Sequence, residues 1–231
     1  MVRRLLTEST LVARSVMLTD TARESMMDVI ALRPDVPVYV VPDTVMDGVA
    51  GFRVHRGCLA IGEYPSARSW QDVIVVARTV VVLERIANAD NVGGIFRCAA
   101  AFGVDAVLLD SDTTDPLYRK AIRTSMGAAL VVPFARAEHW PAALGELRAR
   151  GFAVVAMTPA HSAPELNTTA TAVADRPIAL VLGHEGDGLS GPALAACEFH
   201  ARIRVTSTVD SLNVAAAAAI ALYECRRDGR R

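Results

Sequence analysis

Three short loops contain the residues whose types and spacing best suit ligand binding. They cover residues 91–97, 183–188 and 211–214, and each lies between a strand-like apolar run and an apolar helix. A helix N-terminus presents free backbone N–H groups, and a nearby Ser or Asn adds a side-chain donor or acceptor. Ligands of open parallel sheets bind beyond the carboxyl ends of the strands. The three loops are therefore predicted to form one composite pocket.

The first loop combines an asparagine, a glycine pair and an arginine. Asn91 is expected at or near the N-cap of a helix, and Gly93 and Gly94 permit close backbone approach. Arg97 lies one to two turns into that helix, where its side chain could point back over the loop. The alternative is a capped helix start with a solvated arginine.

The second loop contains three glycines that flank an acidic pair, Glu185 and Asp187. Glycine there suits a flat ligand that lies against the backbone, and the order differs from both G-x-G-x-x-G and a P-loop. The two carboxylates would repel a nucleotide di- or triphosphate, so a neutral or cationic ligand is favoured. His184 is interpreted as a packed or solvated loop residue, in preference to a metal ligand or a base.

The third loop places Ser211 and Asn213 at the start of the last helix. Ser211 has only the adjacent Asp210 as a possible partner, and no G-x-S-x-G elbow is present, so it is not predicted to be a nucleophile. Simple N-capping by Ser211 is the alternative. Asn213 is harder to explain, because asparagine is unfavourable inside a helix.

Basic residues are concentrated in one predicted helix. Arg119 and Arg123 are four residues apart and therefore share a helix face. Together with Arg97 they could form a phosphate-binding patch. The alternative is an ordinary solvated face.

The pattern of strands and helices predicts an α/β fold with a parallel sheet covered on both faces. The predicted strands are 80–83, 104–109, 128–132, 152–157, 178–182 and 203–205. The predicted helices are 91–102, 116–126, 140–150 and 211–226. A smaller unit precedes them, with a helix over 21–32, a strand over 38–41 and a polar linker over 63–69, which predicts domains of 1–68 and 69–231.

The composition excludes several classes of protein. Of 231 residues, 52% are apolar and 21% charged, with a net charge of −1, so the chain is globular and carries no overall basic field. The four cysteines are scattered without metal-ligand spacing, which predicts neither a disulfide framework nor a zinc site. No signal-peptide core follows Met1, and the longest apolar run, Val214–Tyr223, is too short to span a bilayer. A cytoplasmic location without membrane attachment is expected.

Taken together, the three loops resemble the signature motifs of the SpoU-type (TrmH-like) RNA ribose 2′-O-methyltransferases of the SPOUT superfamily. The resemblance runs from about Val80 to Glu224. It implies a parallel-sheet domain with a C-terminal trefoil knot, a homodimer, S-adenosylmethionine as cofactor, rRNA or tRNA as partner, and no metal. The small first unit resembles the family's RNA-binding domain in its second half, so the start of that domain is expected to be truncated.

The resemblance also implies roles for individual residues. The implied catalytic residues are Arg97, Asn91, Glu185, Ser211 and Asn213. The implied cofactor-binding residues are Thr158, Leu182, Gly183, Glu185, Gly186, Ile203, Val205 and Leu212. The implied RNA-binding residues are Arg53, Arg56, Arg119, Arg123 and Ser125. Since a guanidinium is a poor base, Arg97 is expected to act as an electrostatic clamp, oriented by Asn91, Ser211 and Asn213, with Glu185 as a loop organiser or a partner of Arg97.

Two residues depart from the family pattern. Arg204 stands where proline is usual and Ser207 where glycine is frequent, so the backbone path of the cofactor loop and its cofactor affinity come into question. A non-catalytic knotted RNA-binding dimer is therefore kept as an alternative. A dinucleotide-dependent oxidoreductase and a Rossmann-type methyltransferase are disfavoured, because no early glycine-rich turn is present.

Overall fold

The chain forms two compact units in a computed structural model that describes residues 1–66, 68–206 and 208–225. The first unit is Met1–Ser66, and the second contains the described residues from 68 onward. This division lies close to the predicted boundary between residues 68 and 69. Ser207 and the predicted end of the last helix at Arg226 lie outside the described residues.

The first unit is a three-stranded sheet with three helices. Its elements are α1 (Val2–Thr7), β1 (Ala13–Leu18), α2 (Asp20–Ala31), β2 (Val38–Val40), α3 (Asp43–Ala50) and β3 (Cys58–Gly62). The strand order is β2-β1-β3, with β1 parallel to β2 and antiparallel to β3. The predicted helix and strand are confirmed as α2 and β2. The sequence interpretation missed the other four elements, including the central strand, in which Val16 and Leu18 are buried.

The second unit is an α/β domain with a six-stranded sheet. Its strands are β4 (Thr79–Leu83), β5 (Ala106–Leu109), β6 (Phe134–Arg136), β7 (Ala153–Met157), β8 (Ile178–Leu182) and β9 (Phe199–Ala201). Its helices are α4 (Trp70–Val73), α5 (Ala89–Ala101), α6 (Arg119–Thr124), α7 (Ala142–Ala149), α8 (Leu166–Ala172), α9 (Gly191–Ala196) and α10 (Val214–Glu224). The order is β6-β5-β4-β8-β7-β9 and every pairing is parallel, so the predicted parallel sheet is confirmed. Among the described helices, none has the length and apolar character needed to cross a membrane.

A hydrophobic core lies on each face of this sheet. Alternate residues of β4 point to opposite cores, Val81 to the one that includes Phe96 of α5, and Val82 to the one that includes Leu144 of α7. Burial on both faces explains why the strands are continuous apolar runs in the sequence. It also leaves only the strand ends available for polar chemistry.

Two predicted strands are wrong. Residues Ala128–Leu130 form a 3-10 turn after Gly127, whose φ of 80° suits glycine, and the strand starts only after Pro133. The predicted strand 203–205 lies after the true edge strand, β9, which pairs with β7. Helix α6 is shorter than predicted, and α10 begins at Val214 instead of Ser211.

The glycine pair of α5 permits helix packing. A Cβ at Gly93 would lie 2.7 Å from the carbonyl oxygen of Ala121, and a Cβ at Gly94 would lie 2.9 Å from Cβ of Ala215. Both distances are too short for a real Cβ contact. Gly93 and Gly94 therefore allow α5 to lie close to α6 and α10, respectively.

Candidate active site

Two hydrogen bonds join the three loops singled out in the sequence. The amide nitrogen of Asn213 donates to Oδ1 of Asn91 at 2.9 Å. The amide nitrogen of Asn91 then donates to Oε1 of Glu185 at 2.7 Å. The helices α5 and α10 and the loop after β8 therefore meet at one place, beyond the carboxyl ends of the central strands.

The direction of this chain of hydrogen bonds is fixed at its start. The backbone N–H of Ala215 donates to Oδ1 of Asn213 at 2.9 Å, so the Asn213 amide must turn its NH₂ group toward Asn91. Asn91, only 8% exposed, must then turn its own NH₂ group toward an acceptor, and Glu185 supplies one. We call Asn213, Asn91 and Glu185 the amide relay.

The helix caps differ from the prediction. Asn88 is the N-cap of α5, and its side chain accepts from the backbone N–H of Asp90, whereas Asn91 lies inside the first turn. Asn213, instead of Ser211, is the N-cap of α10. An N-cap is a favourable position for asparagine, which explains why this residue stands before an apolar helix. Ser211 is exposed and precedes the cap by two residues.

Arg97 lies apart from the amide relay. It is six residues beyond Asn91, a rotation of roughly 240° about the helix axis, and its side chain is exposed while Asn91 is buried. Within the described residues it forms no hydrogen bond or ion pair. Arg97 therefore forms no hydrogen bond or ion pair with Glu185, Ser211 or Asn213 in this part of the chain.

The loop after β8 is held in shape by its own atoms. Nδ1 of His184 accepts from the backbone N–H groups of Gly186 at 3.0 Å and Asp187 at 3.1 Å. The backbone N–H of Gly188 donates to the carbonyl oxygen of His184, which closes the turn. His184 thus organises the loop, in line with its interpretation as a loop residue, and the Glu185 side chain remains exposed.

We expect Gly183→Ala to reduce ligand binding at this loop. A Cβ at Gly183 would lie 2.5 Å from the backbone atoms Gly188 C and Leu189 N, so the loop would have to shift. Gly188→Ala, at a φ of 69°, tests backbone strain in the same loop without a close contact. Calorimetry with S-adenosylmethionine should show an affinity loss of about tenfold or more for Gly183→Ala, an effect typical of overpacking. An affinity equal to that of the unchanged protein would contradict close packing at this position.

The other residues implied in cofactor binding follow the strands at the same edge. Thr158 follows β7, and its backbone N–H donates to the carbonyl oxygen of Ala201 at 3.0 Å. Leu182 ends β8 and is buried. Ile203 and Val205 are half-buried, and their backbone groups form no hydrogen bonds within the described residues. Such open backbone groups are available to a ligand.

Arg204 forms an ion pair with Glu165. Its guanidinium lies 3.5 Å from Oε1 of Glu165, the same oxygen that Arg202 contacts at 3.5 Å. The Arg204 side chain is 77% exposed. The departure from proline therefore places a charged side chain at the surface, next to the open backbone of Ile203 and Val205.

We expect Arg204→Ala to change S-adenosylmethionine affinity by less than about threefold, because an exposed ion pair contributes little free energy. Arg202→Ala should have the larger effect, since Arg202 also donates to the carbonyl oxygen of Ala163 at 3.0 Å. Isothermal titration of both variants checks this order. A larger effect for Arg204→Ala would show that its side chain contacts the ligand.

The residues implied in RNA binding are in three settings. Arg53 and Arg56 are exposed in the loop that precedes β3 of the first unit. Arg119 and Arg123 are exposed on α6, which packs against α5. Ser125 is a correction, because it is fully buried, and its hydroxyl donates to the carbonyl oxygen of Ile122 and accepts from the N–H of Ala129. Its role is to close the end of α6, and it presents no group to RNA.

The thiols of Cys98 and Cys197 are poorly suited to nucleophilic chemistry. Burial raises the pKa of Cys98, the neighbour of Arg97, above its ordinary value. Burial, with the nearby carboxylate of Glu84, raises the pKa of Cys197 to about 12. Both thiols are therefore protonated at neutral pH and poor nucleophiles.

Sequence reasoning missed two polar residues directly after β4. Glu84 is 2% exposed, and Arg85 has a φ of 55°. Both contact the loop that carries Glu185. The signal was present, since a charged pair interrupts the apolar run from Val80 to Ile86.

Comparison with protein families matches residues 78–223 to the SpoU rRNA Methylase family. The chain belongs to the SpoU rRNA methylase family. The matched residues include the whole amide relay and all six strands of the parallel sheet. Membership makes the chain an RNA methyltransferase by family.

Relatives of the SpoU family extend the match into the first unit. An uncharacterized tRNA/rRNA methyltransferase of Mycobacterium tuberculosis is 46% identical over 193 residues, which are 84% of this chain and 67% of that protein. The crystal structure of an AdoMet-bound rRNA methyltransferase from Sinorhizobium meliloti has a TM-score of 0.81 at 26% identity, covering 94% of this chain and 80% of that one. The SpoU methyltransferase AviRb from Streptomyces viridochromogenes has the same fold, with a TM-score of 0.79 at 22% identity over 96% of this chain and 85% of that one.

Proposed function

We propose that the protein transfers a methyl group from S-adenosylmethionine to the ribose 2′-hydroxyl of a nucleotide in rRNA or tRNA. The amide relay is the observation that carries the proposal. It brings one residue from each of the three motif loops together at the carboxyl edge of the sheet. Membership in an RNA methyltransferase family supports the reaction class.

The loops at this edge fit S-adenosylmethionine. The half-buried backbone of Ile203 and Val205 would accept the flat adenine ring, and Leu212, which is 36% exposed, offers an apolar side chain nearby in the sequence. Exposed carboxylates at Glu185 and Asp187 suit a cationic ligand and disfavour a polyphosphate. The AdoMet bound to the Sinorhizobium meliloti protein supports the same cofactor for this chain.

The chain's own residues would prepare the hydroxyl group. When bound, S-adenosylmethionine supplies a methyl group that is activated by its sulfonium charge. A ribose hydroxyl is a weak nucleophile, so it needs stabilisation of the negative charge that develops on its oxygen. Arg97, exposed and unpaired within the described residues, would hold the adjacent phosphate and that developing charge. Asn91 and Asn213 would fix the neighbouring loops, while exposed Ser211 would orient the hydroxyl.

We also propose a homodimer whose interface includes α10. This helix is apolar on all sides: Ala218 and Leu222 are buried in the core, yet Ile220 and Tyr223 are 42% and 53% exposed. A helix that is apolar all round is normally covered on all sides. A second copy would cover the exposed side, and the trefoil knot of the family would hold α10 in place against α5.

The proposal is tested by methylation of RNA with isotopically labelled S-adenosylmethionine. Total rRNA and tRNA from cells that lack the gene are incubated with the protein, digested to nucleosides and analysed by mass spectrometry. We expect the label in a 2′-O-methylribose nucleoside, and mapping the site in cells with and without the gene identifies the nucleotide. Label only on a base would contradict ribose specificity. RNA binding without S-adenosylmethionine binding in calorimetry would instead indicate the non-catalytic RNA-binding dimer.

A further inference from the structure

Arg85 has a backbone conformation that costs free energy. Its φ of 55° lies in the left-handed region, where a side chain is unfavourable and glycine is preferred. Its backbone N–H donates to Oδ2 of the buried Asp110 at 3.0 Å, which fixes the turn after β4. Strained backbone is found most often at functional sites, so the contacts of the Arg85 side chain bear on its role.

The side chain of Arg85 reaches the loop after β8. Nη2 donates to the carbonyl oxygen of Gly188 at 3.3 Å, across 103 residues of sequence. Nη1 lies 3.9 Å from Oδ2 of Asp187. Asp187 and Gly188 directly follow Glu185 and Gly186 in the chain. Arg85, which is not part of this loop, therefore contacts its middle.

Glu84 holds the far end of the same loop. Its carboxylate accepts from the backbone N–H of Ser190 at 2.8 Å and from the Ser190 hydroxyl at 2.6 Å. Nε1 of Trp140 donates to it at 2.6 Å. A buried carboxylate with three donors is a strong and directional anchor, because hydrogen bonds to a charged group are about twice as strong as neutral ones. Ser190 also caps α9, so the anchor fixes where that helix starts.

We propose that Glu84 and Arg85 are positioning residues that hold the loop 184–190 so that Glu185 can accept from Asn91. The two neighbours extend from one strand end to two points of the loop, Gly188 and Ser190. Without them the loop would keep its internal bonds through His184, the contact of Glu185 with Asn91 and the packing of the buried Leu189. The proposed consequence for cofactor binding rests on the proposed function, whereas the consequence for loop order does not.

Arg85→Gly separates loop positioning from fold stability. Glycine tolerates the left-handed backbone, so the melting temperature should stay within about 4 °C of the original, while both contacts to the loop are lost. Met126→Gly is the matched control, because Met126 also has a positive φ, 54°, and within the described residues its one hydrogen bond is from its backbone N–H to the carbonyl oxygen of Arg123. Glu84→Gln, nearly isosteric, provides the second variant and replaces the acceptor facing the Ser190 N–H.

The readout is amide hydrogen exchange in the loop together with S-adenosylmethionine titration. In Arg85→Gly we expect about tenfold faster exchange at Gly186, Asp187 and Gly188, and an affinity about tenfold lower, as for loss of a hydrogen bond to a charged group. In Glu84→Gln we expect about tenfold faster exchange of the Ser190 N–H and an affinity about tenfold lower. Met126→Gly should leave loop exchange unchanged. Loop exchange within twofold of the original in both variants, or an equal increase in Met126→Gly, would overturn the proposal. If the unchanged protein does not bind S-adenosylmethionine, the proposed function fails, and the exchange data alone decide the positioning role.

Discussion

Replacing Arg97 by alanine is expected to lower the rate of 2′-O-methyl transfer by about 10²–10³-fold, the loss typical for one group that stabilises charge in a transition state. S-adenosylmethionine affinity should change little. The affinity should be preserved because Arg97 is exposed on α5 and forms no hydrogen bond or ion pair within the described residues, so its removal leaves the cofactor loops unchanged. Single-turnover rates with labelled cofactor and calorimetry measure the two quantities separately.

Two further variants make the Arg97 result specific. Arg97→Lys keeps the charge and loses the planar donor fork, so an intermediate rate is expected if phosphate is held by two parallel hydrogen bonds. Arg78→Ala is the matched control, because Arg78 is an exposed arginine at the opposite end of β4, and within the described residues only its backbone groups form hydrogen bonds, to Asp105 and Ile178. Arg97→Ala turnover equal to that of Arg78→Ala would exclude Arg97 from the reaction.

Replacing Asn91 by aspartate is expected to break the amide relay and to lower the free energy of unfolding by about 1–3 kcal/mol, the range for an unsatisfied buried polar group. The new carboxylate would lie where the Asn91 amide now donates to Glu185 at 2.7 Å, so two negative charges would face each other. Methyl transfer should fall with the loss of loop order. Chemical denaturation and the methylation assay measure the two effects.

The double variant Asn91→Asp/Glu185→Gln tests whether Glu185 is the partner. An amide at position 185 would donate to the new aspartate, and the amide of Asn213 could still donate to it, so the hydrogen-bond chain is restored with its direction reversed at one link. Most of the lost stability should return. A double variant no more stable than Asn91→Asp would show that the contact between Asn91 and Glu185 does not contribute to the fold.

The sheet of the second unit could be predicted because its strands are buried on both faces. The runs at Val80–Leu83 and Ile178–Leu182 have no polar residue, and such runs between helices indicate parallel strands. The same criterion failed at 128–132, where the apolar run follows a left-handed Gly127 and ends at Pro133, and so forms a turn. In the first unit β1 and β3 contain exposed or half-buried positions, and β1 includes polar residues, so their apolar pattern was too weak to find them.

The site could be predicted as three loops but not as a set of contacts. The residue types at Asn91, Glu185 and Asn213 indicated the loops, whereas their pairing depends on how α5 and α10 approach each other at Gly94. Six residues along a helix correspond to a rotation of roughly 240°, so Asn91 and Arg97 lie on different sides of α5. The roles of Glu84 and Arg85 depend on contacts about a hundred residues away in sequence, which no local pattern reports.

The amide relay also sets the order in which a newly made molecule becomes competent. Asn213 and Asn91 are 122 residues apart, and Glu185 is made between them. During synthesis, strands β4, β5 and β6 can pair early, because they follow one another in the chain. Asn91 on α5 cannot accept from Asn213 until the residues that start α10 have left the ribosome. If the proposed function holds, a nascent chain would need the residues of α10 before its site could form, although most of its sheet could already be complete.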